Sequence, residues 1–373
     1  MPPSKWNGSW AHHGTVGSLK WCYWKIAGEH MTLRIGARRL SRSLRTKQHG
    51  AALLVALLIA ALVTITLTVM LQRQSALAGV EWQMRETTQA RRILYGAEDW
   101  AVRILREDAR RSVIDHLGEP WAIPLQEGRL ADFLKASPDT VSASATDLDD
   151  SRVQDVWLSG RIVDADRRYN LMRLAVAGSS VAQERALWLR VAAQAGLPAE
   201  LGVAVADRFT PPDSGSTSSG PSPQQTQPPL SLAHLIAQLP ALAPWAVALS
   251  ELIIVLPETT TINVNTAAKP VLMALIRGLD ERQAERFMDL RRKAPWRDLN
   301  SIGAAFIENA LTVDATQAGV ASRYFILTAG VRLGVGTPGS QRATEVSLTT
   351  TVERFAQDNR TRIVRRDFGA ALR

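Results

Sequence analysis

One cysteine and few histidines are all the soft-ligand chemistry this chain of 373 residues contains, and most of it lies at one end. Cys22 and four of the six histidines precede residue 51, leaving His116 and His234 beyond it. The body after Gly50 therefore cannot form a disulfide, a thiolate zinc site or a cysteine nucleophile. Two separated histidines and no recognisable nucleophile turn give no catalytic constellation, so the chain reads as not an enzyme. Acids are scarce in the first 50 residues, where Glu29 alone stands against nine Lys and Arg. The rest of the chain holds the remaining 35 basic and 34 acidic side chains and is nearly neutral. All but one unit of the net charge of +9 thus belongs to a leader and is no argument for a nucleic-acid-binding body.

From Ala51 to Leu71 charge, glycine and proline are all absent, over 21 residues. A helix of that length spans roughly 30 Å, the thickness of a bilayer's hydrocarbon core. Arg34, Arg38, Arg39, Arg42, Arg45 and Lys47 precede it and hold that side in the cytoplasm, which puts the bulk of the chain outside. The run is too long for the apolar part of a cleaved secretory signal, and no small-residue cleavage site follows it. Residues 1 to 30 carry Trp6, Trp10, Trp21 and Trp24 with neither helical nor strand periodicity, and Met31 offers a second start beside Met1.

The helical pattern continues beyond the apolar run. Ile93, Leu94, Ala97, Trp100, Ala101, Ile104 and Leu105 recur at three and four residues as one apolar stripe, with Glu98, Asp99, Arg103 and Arg106 as the polar remainder. One helix of some 55 to 60 residues is expected, with Gly79 and Gly96 each costing it about 1 kcal/mol. Pro120, Pro124 and Pro138 then break the chain, leaving a short helix around Gly128 to Lys135. Val153 to Asp166 reads as two short strands about Ser159-Gly160, and Val181 to Ala195 as a helix. Residues 211 to 230 are almost purely Pro, Ser, Gly and Gln and read as a disordered loop. Short helices begin near Leu232 and Pro244. Asn265 or Thr266 is positioned to cap a helix starting at Ala267 and ending at Gly278, followed by helices at Glu281 to Arg292 and Leu299 to Asn309. Arg323 to Leu333, Ala343 to Val352 and Arg362 to Arg366 alternate apolar and polar residues as three antiparallel strands, with a turn at Gly336 to Ser340. The class is α+β, with an all-α unit over residues 176–318 inserted between early and late strands.

Three motifs bear on function. The basic leader ending in Gly50, with Ala51 and an apolar helix after it, resembles a pilin-like precursor. That resemblance implies cleavage after Gly50 by a prepilin peptidase, methylation of the new amino terminus at Ala51, and a helix serving as both membrane anchor and filament core through residues such as Leu58, Ile59 and Leu62. It also implies a glutamate at the fifth mature position, where this sequence has Val55. A carboxylate in lipid costs several kcal/mol unless paired, so its loss suits a subunit with none ahead of it. The second motif, Ile262-Asn263-Val264-Asn265-Thr266-Ala267 with the helices after it, is like a helix-hairpin-helix repeat. Its hairpin Gly278-Leu279-Asp280 has one glycine and an acid that would oppose a phosphate, although Arg291, Arg292 and Lys293 stand nearby. The third, Asp147, Asp149 and Asp150, offers oxygen ligands for calcium but lacks the sixth-position glycine and twelfth-position glutamate of an EF-hand loop.

Taken together, SGRIVDADRRYNL at 159–171, INVNTA with its helices, and SRYFILTAGVRLG at 322–334 resemble the K-type minor pseudopilin of the type II secretion system. The resemblance implies a pilin-like fold whose long N-terminal helix, transmembrane over 51–71 within 51–110, packs on an antiparallel sheet. It implies a leader 1–50 that is removed, a pseudopilin domain of 111–175 and 319–373, and the helical insertion at 176–318. It further implies a place at the tip of a periplasmic pseudopilus, beginning or capping its assembly for protein export. Its partners would be I- and J-type minor pseudopilins, other pseudopilins, the prepilin peptidase and the inner-membrane secretion platform. The chain would cross the bacterial inner membrane once with its C-terminal domain in the periplasm, and would need no cofactor, calcium aside. The alternative is a membrane-anchored helix-hairpin-helix protein that binds DNA during uptake.

Overall fold

The computed structural model describes residues 49–136, 156–175, 181–209, 229–307, 311–334, 344–355 and 357–369. The expected features at residues 1–48, the Asp147 cluster, the Pro/Ser-rich stretch up to residue 228 and the turn at Gly336 to Ser340 lie outside them. In chain order the elements are α1 (His49–Arg111), β1 (Leu125–Arg129), α2 (Leu130–Ala136), β2 (Val156–Asp164), β3 (Tyr169–Asn170), α3 (Val181–Gln194) and α4 (Ala199–Phe209). There follow α5 (Leu232–Gln238), α6 (Ala246–Leu252), β4 (Ile253–Ile254), β5 (Ile262–Asn263), α7 (Lys269–Leu275), α8 (Glu281–Lys293) and α9 (Asn300–Ala305). The chain closes with β6 (Ala318–Gly319), β7 (Tyr324–Leu333), β8 (Thr344–Phe355) and β9 (Arg360–Gly369).

The chain divides into two compact units, Met1–Val69 and Met70–Arg373. In the first, α1 begins at His49, and the stretch Ala52–Gln74 is long and apolar enough to cross a membrane. Its three threonines bond back into the helix, Thr64 Oγ1 to Ala60 O at 2.7 Å, Thr66 Oγ1 to Leu62 O and Thr68 Oγ1 to Thr64 O at 2.7 Å, so their hydroxyls need no water.

In the second unit α1 lies on a five-stranded sheet of order β1-β2-β7-β8-β9, antiparallel throughout. Ala90 and Leu94 pack on Val156, Leu158, Val331, Leu333, Val346 and Leu348. About two turns beyond Leu94, Ala101, Val102 and Leu105 pack on Trp121, Phe325, Leu327 and Val352. Side chains at alternate strand positions point to one face, which is why these residues meet the helix. The buried stripe is rotated from the expected one. Ile93, Ala97, Trp100 and Ile104 are half-buried, whereas Glu98, expected among the polar remainder, is buried. Its carboxylate is satisfied by Arg366 Nη2 at 2.6 Å, Arg366 Nε at 2.9 Å and Thr350 Oγ1 at 2.6 Å, so the sheet supplies the partners that make burial tolerable.

Val153 to Asp166 is not a pair of strands. β2 runs unbroken from Val156 to Asp164, with Ser159 opposite Gly330 and Gly160 opposite Ala329. A Cβ on Gly160 would stand 3.4 Å from Thr328 O, and one on Gly330 would stand 3.2 Å from Ser159 Oγ, so these glycines permit close strand approach and form no turn. β1 precedes the short helix expected near Gly128, and α4 follows α3 where no element was expected.

The helices after α2 share one core. Leu187, Trp188, Val205, Leu235, Leu249, Val271, Leu272, Phe287 and Phe306 are buried in it together with Tyr169, Leu171 and Leu174. Trp188 donates Nε1–H to Gly202 O at 2.7 Å and stacks on Tyr169. α7 begins at Lys269 with Ala268 as its N-cap and no side-chain cap, so neither Asn265 nor Thr266 performs that role. α8 begins with a full capping box between Asp280 and Gln283.

Leu105→Ala is expected to cost about 2–5 kcal/mol through the cavity it leaves. Gly96→Ala should add roughly 0.5–1 kcal/mol, because a Cβ there meets nothing within 4 Å and the helix gains propensity. Denaturant unfolding of both variants against the parent measures the two effects.

Candidate functional site: a buried junction between the sheet and the helical body

Asp164 ends β2 with its carboxylate buried. Oδ1 accepts from Asp166 N at 2.8 Å. Oδ2 accepts from Asn263 Nδ2 at 3.1 Å, from Ser322 Oγ at 2.6 Å and from Thr266 Oγ1. The last turn of the sheet is thereby fastened to the segment Ile262–Ala267, which explains why Thr266 is not available as a cap. Asp166 in turn accepts at Oδ2 from Arg323 N at 2.6 Å and Tyr324 N at 3.1 Å, closing the start of β7 over the same place.

The two asparagines of INVNTA divide the work. Asn263 faces the sheet: its Nδ2 also bonds Ser322 Oγ at 2.7 Å and Asp115 O at 3.0 Å, and its backbone N–H bonds Asp166 O at 3.0 Å. Asn265 faces the helices: its Oδ1 accepts from Trp296 N at 2.8 Å and its Nδ2 donates to Trp296 O at 2.9 Å. Between them, Ile262 and Asn263 pair in parallel with Ala318 and Gly319. Arg291 Nη1 donates to Val264 O and Ala267 O, both at 2.7 Å, and is buried. Its site pushes it down to about 10, by burial first and then by Arg167 and Arg292.

A second charged group adjoins the first. Arg354 on β8 donates Nη1 to Asp108 Oδ2 at 3.0 Å and Nη2 to Asp115 Oδ2 at 2.5 Å, and its guanidinium lies 4.6 Å from the Phe325 ring centre. Asp115 Oδ2 also accepts from Ser322 N at 2.7 Å, linking both groups through one serine. Glu119 accepts from Trp121 Nε1 at 2.7 Å. Asp108, Asp115 and Glu119 bring carboxylate oxygens within 4.8 Å of one another, and Arg354 pairs with the first two. Burial is the first cause that raises all four aspartates: Asp108 to about 6, Asp164 to about 6, Asp166 to about 7, and Asp115 in the same direction against the pull of Arg354.

The helical-body side of this junction, with Asn263, Asn265, Thr266 and Arg291, falls in the stretch that a family model matches. The family described as Type II secretion system (T2SS), protein K matches residues 262–321, from the start of β5 to the residue before Ser322. A curated relative, type II secretion system protein K of Pseudomonas aeruginosa, is 27% identical over 355 residues, covering 87% of this chain and 94% of the relative. The chain is thus similar to protein K of the type II secretion system, through a short matched stretch and a more distant likeness over most of its length. The fold agrees: a chain in the crystal structure of the GspK-GspI-GspJ complex from the enterotoxigenic Escherichia coli type 2 secretion system superimposes with a TM-score of 0.56 at 18% identity. That match covers 77% of this chain and 98% of the other.

The residues singled out from the sequence fall in different places. Gly50 and Ala51 lie in the first turn of α1, and Val55, Leu58, Ile59 and Leu62 are each more than half exposed along it. The basic set beside the hairpin does not act as one. Arg291 is spent on two carbonyls and Arg292 is paired with Asp289, while Lys269 bridges the hairpin to Glu281 at 2.7 Å and Glu285 at 2.9 Å. Gly278 adopts φ 81° and Asp280 caps α8, so the hairpin presents carboxylates where a phosphate would need donors. Arg354, Asp108, Asp115 and Ser322 were not foreseen, because nothing local in the sequence marks a surface-type residue as buried.

Two outcomes follow. Carboxylates raised above their unfolded value bind more protons in the native state, so their contribution to stability falls as pH rises from about 4 to about 7. Unfolding midpoints of the body at pH 5 and pH 7.5 should differ in that direction, and Asp166→Asn, which keeps both acceptor bonds, should flatten the difference. Asn265→Ala orphans the buried N–H and C=O of Trp296 and should cost about 1–3 kcal/mol, measured by denaturant unfolding.

Proposed function

We propose that this chain is the K-type minor pseudopilin of a type II secretion system, seated at the tip of the periplasmic pseudopilus, where it starts or caps assembly with I- and J-type partners. The observation that carries the reading is the junction. A pilin-like sheet and helix are joined through INVNTA to a helical body, in the stretch matched by the protein K family, and the relative aligns over most of both chains. The solved relative of the same fold was crystallised in a complex named for three such proteins, which supports I- and J-type partners for this chain. The role is structural, without catalysis.

The mechanism is one of assembly. Ala52–Gln74 holds the subunit in the inner membrane with the body in the periplasm, and subunits added from the platform below move it outward. A prepilin peptidase cuts after Gly50, and the methylated Ala51 becomes the amino terminus. Val55 leaves no carboxylate to pair with a subunit ahead, and the bulk of the helical body blocks stacking above it. The hairpin with its capping-box Asp280 and inward Arg291 favours this reading over DNA uptake.

Coexpression with a prepilin peptidase, followed by intact-mass and N-terminal analysis, should give a chain starting at N-methylated Ala51. Gly50→Val should stay uncut. An uncut precursor in both would refute the processing step, and failure of the processed chain to co-purify with its I- and J-type partners would refute the assembly role.

A further inference from the structure

Beside the stripe that seats α1 on the sheet lies an apolar groove of about 400 Å³, within the second unit alone. Its walls include Gly96, Trp100, Trp121, Ile123, Phe133 and Leu158. Trp100 and Phe133 meet edge to face at 4.9 Å and hold α2 over α1 along one side. Ile123 is 70% exposed at its border, a large apolar side chain left in water. A volume in the range of about 300–1,000 Å³, apolar walls and a few polar groups at the rim are the features of a small-molecule site.

The rim indicates what would fit. Arg103 and Arg161 line it, and among the described residues neither has a carboxylate within ion-pair distance. Among the described residues Asp99 is the single acid lining the groove, against two arginines, which sets a surplus of positive charge next to a hydrocarbon wall. That combination is complementary to an anionic head on an apolar tail. At roughly 30 Å³ per water-sized group the groove accepts a single chain of about a dozen methylenes, too little for a two-chain lipid.

We propose that this groove binds a free single-chain fatty acid, with its hydrocarbon between α1 and the sheet and its carboxylate held by Arg103 and Arg161. The site is independent of the assembly role. Gly96 supplies the control: it lines the groove on the exposed side of the helix and an added Cβ meets nothing within 4 Å, so Gly96→Phe places a bulky ring at the groove while the helix gains propensity.

The test uses the full chain in nanodiscs with a diazirine-bearing dodecanoate, and the photolabelled peptides are mapped by mass spectrometry. Label is expected on residues 96–104 or 130–134. It should fall about tenfold in Gly96→Phe, whose thermal midpoint should not drop, and about tenfold in Arg103→Glu with Arg161→Glu, a loss of about 1.4 kcal/mol. Unlabelled dodecanoate should compete, and dodecanol should not. Label confined to Ala52–Gln74, label unchanged by Gly96→Phe, or equal competition by dodecanol would each overturn the proposal. So would a photocrosslinker at Ile123 that captures another polypeptide while dodecanoate labels nothing, which would give the groove to a protein.

Discussion

The structure of the body depends on how one buried carboxylate is satisfied. Asp164 stands where β2 leaves the sheet, and charge there is tolerated only because Asn263, Ser322, Thr266 and the Asp166 amide all donate to it. Those donors come from the helical body, from the entry to β7 and from the chain next to Asp164. Satisfying one side chain therefore sets where the insertion leaves the sheet and where it returns. A pair of apolar residues could hold two layers together with less energetic risk, but it would not set one register, since apolar contact is indifferent to small shifts.

The second charged group extends the same logic to the helix. Arg354 reaches from β8 to Asp108 near the end of α1 and to Asp115 in the loop beyond it, while Ser322 O accepts from Arg354 Nη2 at 3.2 Å. Glu98, earlier on α1, is tied to Arg366 on β9. Both are pairs between the helix side of the sheet and its strands, with their partners fully desolvated on at least one side. Ion pairs of this kind fix the rotation and the axial position of the helix on the sheet together. Hydrophobic burial of Leu94 and Leu105 supplies the larger share of the attraction, at about 1.5–3 kcal/mol for each buried side chain.

The fit between family match and junction has a physical reading. Residues 262–321 contain Asn263, Asn265, Arg291 and Trp296, whose bonds run between segments, along with the core aromatics Phe287 and Phe306. Side chains with several buried partners at once are costly to replace, because each change leaves a polar group unpaired. The groove beside α1 lies outside that stretch.

Much was legible in the sequence wherever the signal was local. The uncharged run after Gly50, the stripe of apolar residues toward Leu105 and the alternation in the last three strands each repeat with the period of one element, so each could be read without knowing its neighbours. What the tertiary structure decided was the fate of polar groups and glycines. Glu98 looked like surface and is buried because Arg366 waits 268 residues away. Ser159-Gly160 looked like a turn and is mid-strand because β7 pairs straight past it. Arg291 looked available and is spent on Val264 and Ala267. Periodicity is carried by the chain's own geometry, but the burial of a charge is settled by partners that only the fold brings within hydrogen-bonding distance.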